Sequence, residues 1–296
     1  MKRFCLMTLI ICLMAAPALT EAGNKYTLPL DLTPGMPLNR SNYLSDWHYK
    51  DPTIEMTARE SREEGVLYWV AEVTIQDPSQ LRTMPSNSFA YSSTADGARI
   101  SRRANAVLAC DGDFWHREVK WKGNYVLRQG QLYMYELTGN SDVLLIDEDG
   151  DFHIIHKATA ADVPLPEEEG GKVMYKGKQI YNGFCFGPAL VEDGEALIIE
   201  PDEHMITEQR VSRLAICQTG KLQYAIVCCY NSDQGMTMQE FAYLLEALGA
   251  KTAYNLDGGN SSMIFTGAKM INRNYTVREI VDIIYFASAL PEGGNP

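Results

Sequence analysis

The stretch GMTMQEFAYLLEALGAKTAYNLDGGNSSMIF, residues 235–265, decides the reading of the fold. Thr237 and Glu240 have the spacing of a capping box, in which each side chain satisfies a backbone N–H of the first helical turn. Phe241, Leu244, Leu245 and Leu248 then fall at i, i+3, i+4 and i+7, one face of an amphipathic helix, and Gly249 is placed to end it. The apolar runs on either side read as strands, so strand, helix and strand follow one another from Leu222 to Phe265. Between the last two runs, Asn255 to Ser262 gathers an acid, two glycines, two asparagines and two serines. Gly258 and Gly259 can adopt φ > 0 and expose successive N–H groups, a nest for a phosphate or carboxylate oxygen. Asp257 brings negative charge to the same place. The segment is therefore either a tight turn, or a site in which a cation offsets the acid or Asp257 itself reacts.

Working outward, the other apolar runs also read as strands. GVLYWVAEVTIQDP, residues 65–78, is β-branched and aromatic and closes on Asp-Pro, as a core strand does; NAVLACDGDFW, residues 105–115, joins a buried run to a sharp Asp-Gly-Asp turn. Hairpins are expected at Gln129-Gly130, at Asp147 to Gly150, around Asp193-Gly194 and around Thr219-Gly220, and REIVDIIYFAS, residues 278–288, supplies a closing strand. So many hairpins and one strand-helix-strand passage argue against a doubly wound parallel sheet. The expected class is α+β: a mixed, mostly antiparallel sheet core with one strong helix and a few weaker ones, in a single large domain over residues 43–290. The Pro- and Gly-bearing polar residues 23–42 suit an extended leader that need not pack, and 291–296 a tail.

Lys2 and Arg3 precede an apolar run, Phe4 to Ala16, that is too short for a hydrocarbon core of roughly 30 Å, and Ala16-Pro17-Ala18 or Thr20-Glu21-Ala22 offers a small-x-small cleavage pattern. Residues 1–22 thus read as a signal peptide, leaving a mature chain with no membrane span, periplasmic or extracellular. A formal charge of −12 disfavours nucleic acid or an anionic membrane surface as partner. Beyond the signal, Cys110, Cys185, Cys217, Cys228 and Cys229 have neither disulfide-framework nor zinc-site spacing. Asp147, Asp149 and Asp151 have a calcium-loop flavour, but the glycine is misplaced and no glutamate closes the loop, so a hairpin is the better reading.

Three segments set charge at the end of a buried strand: Asp111-Gly112-Asp113, Arg213, and Asn255 to Ser262. Arg213, alone in an apolar run, must meet an acid or an anionic substrate if it is buried, since an unpaired buried charge costs several kcal/mol. Arg278 is a second cation. Asp113 and Asp257 could form the carboxylate pair that hydrolysis of an acetal-like bond uses. His116 could act in acid/base work, but a lone loop histidine is more often exposed and idle; His153, His156 and His204 lack metal-ligand spacing, and GNSSM lacks the nucleophile elbow of serine hydrolases.

Taken in order, ACDGDFW, FGPALVEDGE, SRLAICQTGKLQYAIV, the opening stretch with its LDGG signature, and REIVDIIYF resemble the phosphodiester glycosidase domain family, over about residues 43–290. The resemblance implies hydrolysis of a sugar-1-phosphodiester to free sugar and phosphomonoester, on a glycan or sugar-phosphate substrate. It implies catalytic roles for Asp113, Asp257 and Arg213. Asp111, Gly112, Asn182, Asn255, Gly258, Gly259, Asn260, Ser261 and Arg278 would bind substrate, with no cofactor and no metal. Three departures stand out: Asp111 replaces the family's usual asparagine before the glycine, Asn260 stands where a third glycine is common, and CCYNSDQ replaces an aspartate-glycine-arginine. A catalytically silent carbohydrate-binding protein is the alternative these motivate, and a metal-dependent phosphodiesterase, with Asp111, Asp113 and Asp257 as ligands, is a third reading.

Overall fold

A computed structural model describes residues 26–90, 93–114, 123–230, 235–272 and 277–291. The expected signal peptide, Trp115 and His116, and most of the tail lie outside the described residues. In chain order the main strands are β1 (Ile54–Glu63), β2 (Val66–Ile75), β3 (Leu81–Pro85), β4 (Ala106–Asp111), β5 (Gly123–Arg128), β6 (Gln131–Asp147), β7 (Phe152–Thr159), β8 (Lys178–Phe184), β9 (Ala189–Glu192), β10 (Arg213–Gly220), β11 (Gln223–Cys229), β12 (Thr252–Leu256), β13 (Ile264–Thr266) and β14 (Asp282–Ala287). Two α-helices accompany them among the described residues, α1 (Gly97–Arg103) and α2 (Met238–Ala247).

The strands form three antiparallel sheets. The largest runs Tyr43–Ser45, His48–Asp51, β1, β2, β11, β10, β12, β9, Glu195–Ala196. The second runs Met174–Tyr175, β8, β5, β6, β7, and the third Lys269–Met270, β13, β4, β14, β3. One apolar core lies among all three, joining Trp69, Ile216 and Leu256 to Leu144 and to Leu108, Ile284 and Phe286. Phe241, Leu244 and Leu245 of α2 pack on the opposite face of the large sheet, against Ala215, Cys217 and Val227. The five described cysteines are buried free thiols.

The α+β expectation is corrected by this architecture, which is β-rich, with only two short α-helices among the described residues. Polar segments that leave room for weaker helices are instead held in hairpins. IEMTARESRE, rich in helix formers, becomes β1 because Glu64 (φ 45°) and Gly65 (φ 90°) turn it back onto the apolar β2 through a full ladder of pairs. Cross-strand packing overrides local propensity there. The strand-helix-strand passage is present as β11, α2 and β12, but β10 sits between its two strands, antiparallel to both. The helix thus crosses over an interposed strand without generating a parallel sheet. Thr237 and Glu240 form the expected capping box, and Gly249 (φ 86°) follows the helix.

Residues 26–42 depart from the leader expectation by packing. Arg82, fully buried, donates to the carbonyls of Pro29 (2.9 Å), Asp31 (2.9 Å) and Thr33 (3.0 Å), and Leu28 joins the core beneath the third sheet. A buried guanidinium needs acceptors, and the otherwise irregular backbone of this segment supplies them.

Candidate active site

The strand ends bring four carboxylates together. Asp111 ends β4, Asp113 follows it by two residues, Asp257 follows β12, and Asp282 opens β14, where its neighbour Ile283 pairs with Asp111. All four are at least nine-tenths buried. Burial, and then the nearby charges of Asp257 and Asp282, push the Asp111 carboxyl well above its ordinary range, against a smaller opposing pull from Arg278. Burial raises Asp282 as well, although Arg128 opposes it.

The Asp-Gly-Asp turn is built around Asp282. The Gly112 N–H donates to the Asp282 carbonyl (3.2 Å) and the Asp113 N–H to Asp282 Oδ1 (3.0 Å). A Cβ on Gly112 would stand 2.3 Å from Asp282 Oδ1, so no side chain fits there. Arg128, at the end of β5 and fully buried, donates through Nε to Asp282 Oδ2 (3.1 Å), and its Nη2 lies 3.7 Å from Asp113 Oδ2. Its guanidinium stacks 4.0 Å from the Phe184 ring centre. Asp113 Oδ2 also accepts the Cys185 N–H at 2.8 Å. Asp113 is therefore turned inward, onto Arg128 and the β8 end, and its contacts are those of a residue that holds the turn.

Asp257 is differently placed. Its Oδ2 accepts the Ser261 hydroxyl (2.8 Å) and an Arg278 Nη2 N–H, while Arg278 Nε donates to Ser261 Oγ at 2.5 Å. The Arg278 side chain is 47% exposed, which leaves a cation at the mouth of the cluster. Asp111, Asp257, Ser261 and Arg278 are thus brought together as the expected site residues. After Asp257 the chain makes a 3-10 turn, Gly259–Ser261, in which the Ser261 N–H bonds the Gly258 carbonyl. The Gly259 N–H is spent on the Ser212 carbonyl (3.0 Å) and is not offered to a ligand, whereas Gly258 and Asn260 lie at the half-buried and exposed positions of the turn. The expected nest is in this respect corrected: it is a turn that aims Asp257.

Three other expected site residues bind protein groups. Arg213 donates to the carbonyls of Met236 (3.1 Å), Met205 (3.4 Å), Ile206 (2.8 Å) and Gln209 (2.8 Å), so its guanidinium pins the 205–209 segment instead of facing a phosphate; burial lowers its pKa to about 10. Asn182 Oδ1 accepts from Thr83 Oγ1 (3.2 Å) and the Gln129 N–H (3.1 Å). Asn255 Nδ2 donates to the Gly187 carbonyl (2.7 Å), and its Oδ1 has no partner among the described residues. Sequence reasoning missed Asp282 and Arg128. The signal that marks Arg213, a charge alone in an apolar strand, was present for Asp282 in IVDIIYF and for Arg128 at the close of NYVLR.

Acids close enough to share a cation occur elsewhere, at the β6–β7 turn: Asp147, Asp149 and Asp151. Their oxygens serve that turn and its neighbours. Asp147 accepts the N–H groups of Asp149 and Asp151 and meets His153, Asp149 pairs with Lys178, and Asp151 with Lys221 and Gln218. That is the hairpin reading.

Among solved structures, the chain resembles the zebrafish N-acetylglucosamine-1-phosphodiester alpha-N-acetylglucosaminidase catalytic domain, auto-inhibited by its pro-peptide, at 14% identity over 90% of this chain and 100% of that one, with a TM-score of 0.61. It also resembles a hypothetical protein from Synechocystis, at 20% identity and a TM-score of 0.51, over 79% of this chain and 62% of that one, so it spans under two thirds of that protein. At these identities the likeness is one of fold. No curated protein sequence matches. The phosphodiester glycosidase family profile matches residues 104–287, from the start of the Asp111 strand to the end of β14. That span is more than half of the chain and holds all four carboxylates, and the protein belongs to the phosphodiester glycosidase family.

Proposed function

We propose that the protein is an exported hydrolase that cleaves sugar-1-phosphodiesters, of the N-acetylglucosamine-1-phosphate type, to free sugar and a phosphomonoester. One observation carries the reading: two adjoining buried carboxylates in different surroundings, with a half-exposed arginine paired to one of them. Asp111 is held toward its neutral form, while Asp257 is ion-paired with Arg278. Carboxylates whose environments push them apart are the usual mark of divided roles.

The leaving group is a phosphomonoester, stable as an anion, so departure from C1 makes little demand for a proton. One carboxylate that delivers water to C1 is then sufficient, and Asp257 takes that role. Arg278 binds the phosphodiester anion, and as it turns from Asp257 to the phosphate it leaves Asp257 the stronger base. A protonated Asp111 presents one O–H donor and one carbonyl acceptor, the same pair that an asparagine side chain presents. It holds a substrate oxygen without adding charge beside the phosphate. Asp113, Asp282 and Arg128 position the Asp-Gly-Asp turn.

The test is hydrolysis of an N-acetylglucosamine phosphodiester in ¹⁸O-labelled water. Label in the released sugar is expected; label found only in the phosphate would sink cleavage at C1. Asp257→Asn should lose at least about a hundredfold in kcat, the lower range for a lost general base. Turnover is expected to survive exhaustive chelation, and activity abolished by chelator and restored by Mg²⁺ or Ca²⁺ would favour the metal-dependent reading. No sugar release from several sugar phosphodiesters, with glycan binding retained, would favour a silent binding protein. Export is tested separately, by a mature N-terminus beginning near residue 23 in the secreted fraction.

A further inference from the structure

Phe114 follows the Asp-Gly-Asp turn, and its half-buried ring lies against the Arg278 side chain, whose Cζ is 5.6 Å from the ring centre. That separation is within reach of a cation–π contact, in which a guanidinium is drawn to the negative face of an aromatic ring. The backbone that carries the ring is fixed from beneath. The Asp113 N–H donates to Asp282 Oδ1 (3.0 Å), Asp113 Oδ2 accepts the Cys185 N–H (2.8 Å), and the Gly112 N–H bonds the Asp282 carbonyl (3.2 Å). Asp282 is held in turn by Nε of the buried Arg128 (3.1 Å). Three buried residues that take no part in the chemistry thus fix the residue that bears on Arg278.

Arg278 needs such a support. Its backbone is anchored two residues on, where Ile280 and Ala95 exchange N–H···O bonds of 2.9 and 3.0 Å, and its side chain is 47% exposed. A long exposed side chain loses rotamer freedom wherever it is held, so it stays in place only through its contacts. Two of these are polar, Nη2 to Asp257 and Nε to Ser261 (2.5 Å). Both must loosen when the guanidinium turns to a phosphodiester. The contact with Phe114 need not, because the attraction of a ring face for a cation is not spent on any one N–H. It leaves the N–H groups to the anion and keeps water from one side of the guanidinium, which strengthens the pull on the phosphate.

We propose that Phe114 is a positioning residue for substrate binding: its ring keeps the Arg278 guanidinium at the mouth of the site while the arginine exchanges Asp257 for the substrate's phosphate. The proposal rests on the hydrolase reading for what Arg278 binds. It ties the inner charges, Arg128, Asp282 and Asp113, to the outer pair, Arg278 and Asp257, through a single ring.

The test has two arms. In the first, kcat/KM on an N-acetylglucosamine phosphodiester is measured for Phe114→Leu and Phe114→Tyr, each alone and combined with Arg278→Ala. Phe114→Leu, which loses the π face, should lower it about fivefold, roughly 1 kcal/mol. Phe114→Tyr, which keeps the face, should hold the wild-type value. In the Arg278→Ala background Phe114→Leu should have no further effect, as two residues that act through one contact require. In the second arm, a non-cleavable analogue, with a methylene group in place of the C1 oxygen of the phosphodiester, is titrated calorimetrically into the same proteins. It is also titrated into protein with a fluorinated Phe114, whose ring face loses its negative charge at nearly constant size. Kd should rise with Phe114→Leu and in step with fluorination. That result without turnover supports the role of Phe114 and overturns only the hydrolase reading. A Phe114→Leu loss that persists beside Arg278→Ala, a Phe114→Tyr protein as weak as Phe114→Leu, or binding that ignores the ring overturns the proposal. A wild type that neither binds the analogue nor cleaves the diester overturns both.

Discussion

At the scale of single residues, the site is governed by how four buried carboxylates are kept from repelling one another. Arg128 answers for Asp282 and Asp113, and Arg278 for Asp257, whereas Asp111 is pushed toward its neutral form by burial and by the charges of Asp257 and Asp282. Asp282→Ala should therefore cost about 3 kcal/mol or more, because it leaves a fully buried guanidinium with a single carboxylate 3.7 Å away. Urea denaturation measures this as a lower midpoint at unchanged slope. Asp111 yields a prediction with a definite sign. Its folded pKa is raised above 3.8, so its contribution to stability is complete below that value and is lost as pH rises through the folded pKa. Asp111→Asn should thus gain stability relative to wild type between pH 4 and pH 8. Its kcat/KM should stay within about tenfold of wild type, since the amide keeps both hydrogen-bonding roles, and should no longer fall as pH rises. A Asp111→Asn enzyme that loses activity at every pH would instead make Asp111 the proton donor. The sequence made Asp111, Asp257 and Arg278 legible as charges at strand ends. It could not tell that Asp113 turns inward, because that depends on a Cys185 N–H 72 residues away.

At the scale of elements, the local signals read well wherever chemistry is confined to neighbours in sequence. The Gln129-Gly130 hairpin forms with both residues at positive φ, 49° and 77°, as a two-residue turn between strands requires. The Thr219-Gly220 hairpin turns slightly later, where Leu222 has φ 54°. The α2 cap is also local: Thr237 Oγ1 accepts the Glu240 N–H (3.2 Å) and Glu240 Oε2 the Thr237 N–H (2.9 Å). Thr237→Ala should cost about 1 kcal/mol, read as a small fall in the denaturation midpoint. Arg213 was legible as an anomaly, and its partners were not, because they are carbonyls of an irregular segment that leaves no sequence pattern. Arg213→Met should deprive the Met205, Ile206, Gln209 and Met236 carbonyls of their donor, at about 1–3 kcal/mol for each that stays dry. The 205–209 segment would then loosen, and limited proteolysis should cut there first while α2 stays intact.

At the scale of the whole molecule, the three sheets share one core, so they should not unfold separately. Phe286, fully buried, touches that core from the third sheet. Phe286→Ala should cost about 3–5 kcal/mol and lower a single calorimetric transition without splitting it. A resolved second transition would show the sheets to be independent. The antiparallel character was readable from the hairpins, but the grouping into three sheets was not: nothing local marks β10 to lie between β11 and β12, or β14 between β4 and β3. The last of these placements bears on how the chain comes to be folded. β3 and β4 both pair with β14, far along the chain from either, and the Gln80 side chain bonds the Ala287 carbonyl across a separation of 207 residues. The final strand is thus a keystone. Without it, one edge each of β4 and β3 would stand unpaired, and the Asp-Gly-Asp turn would lose the Asp282 groups that hold it. A chain truncated before Asp282 should therefore lack both the strand that bridges β3 and β4 and the support of that turn, and should show no cooperative unfolding transition.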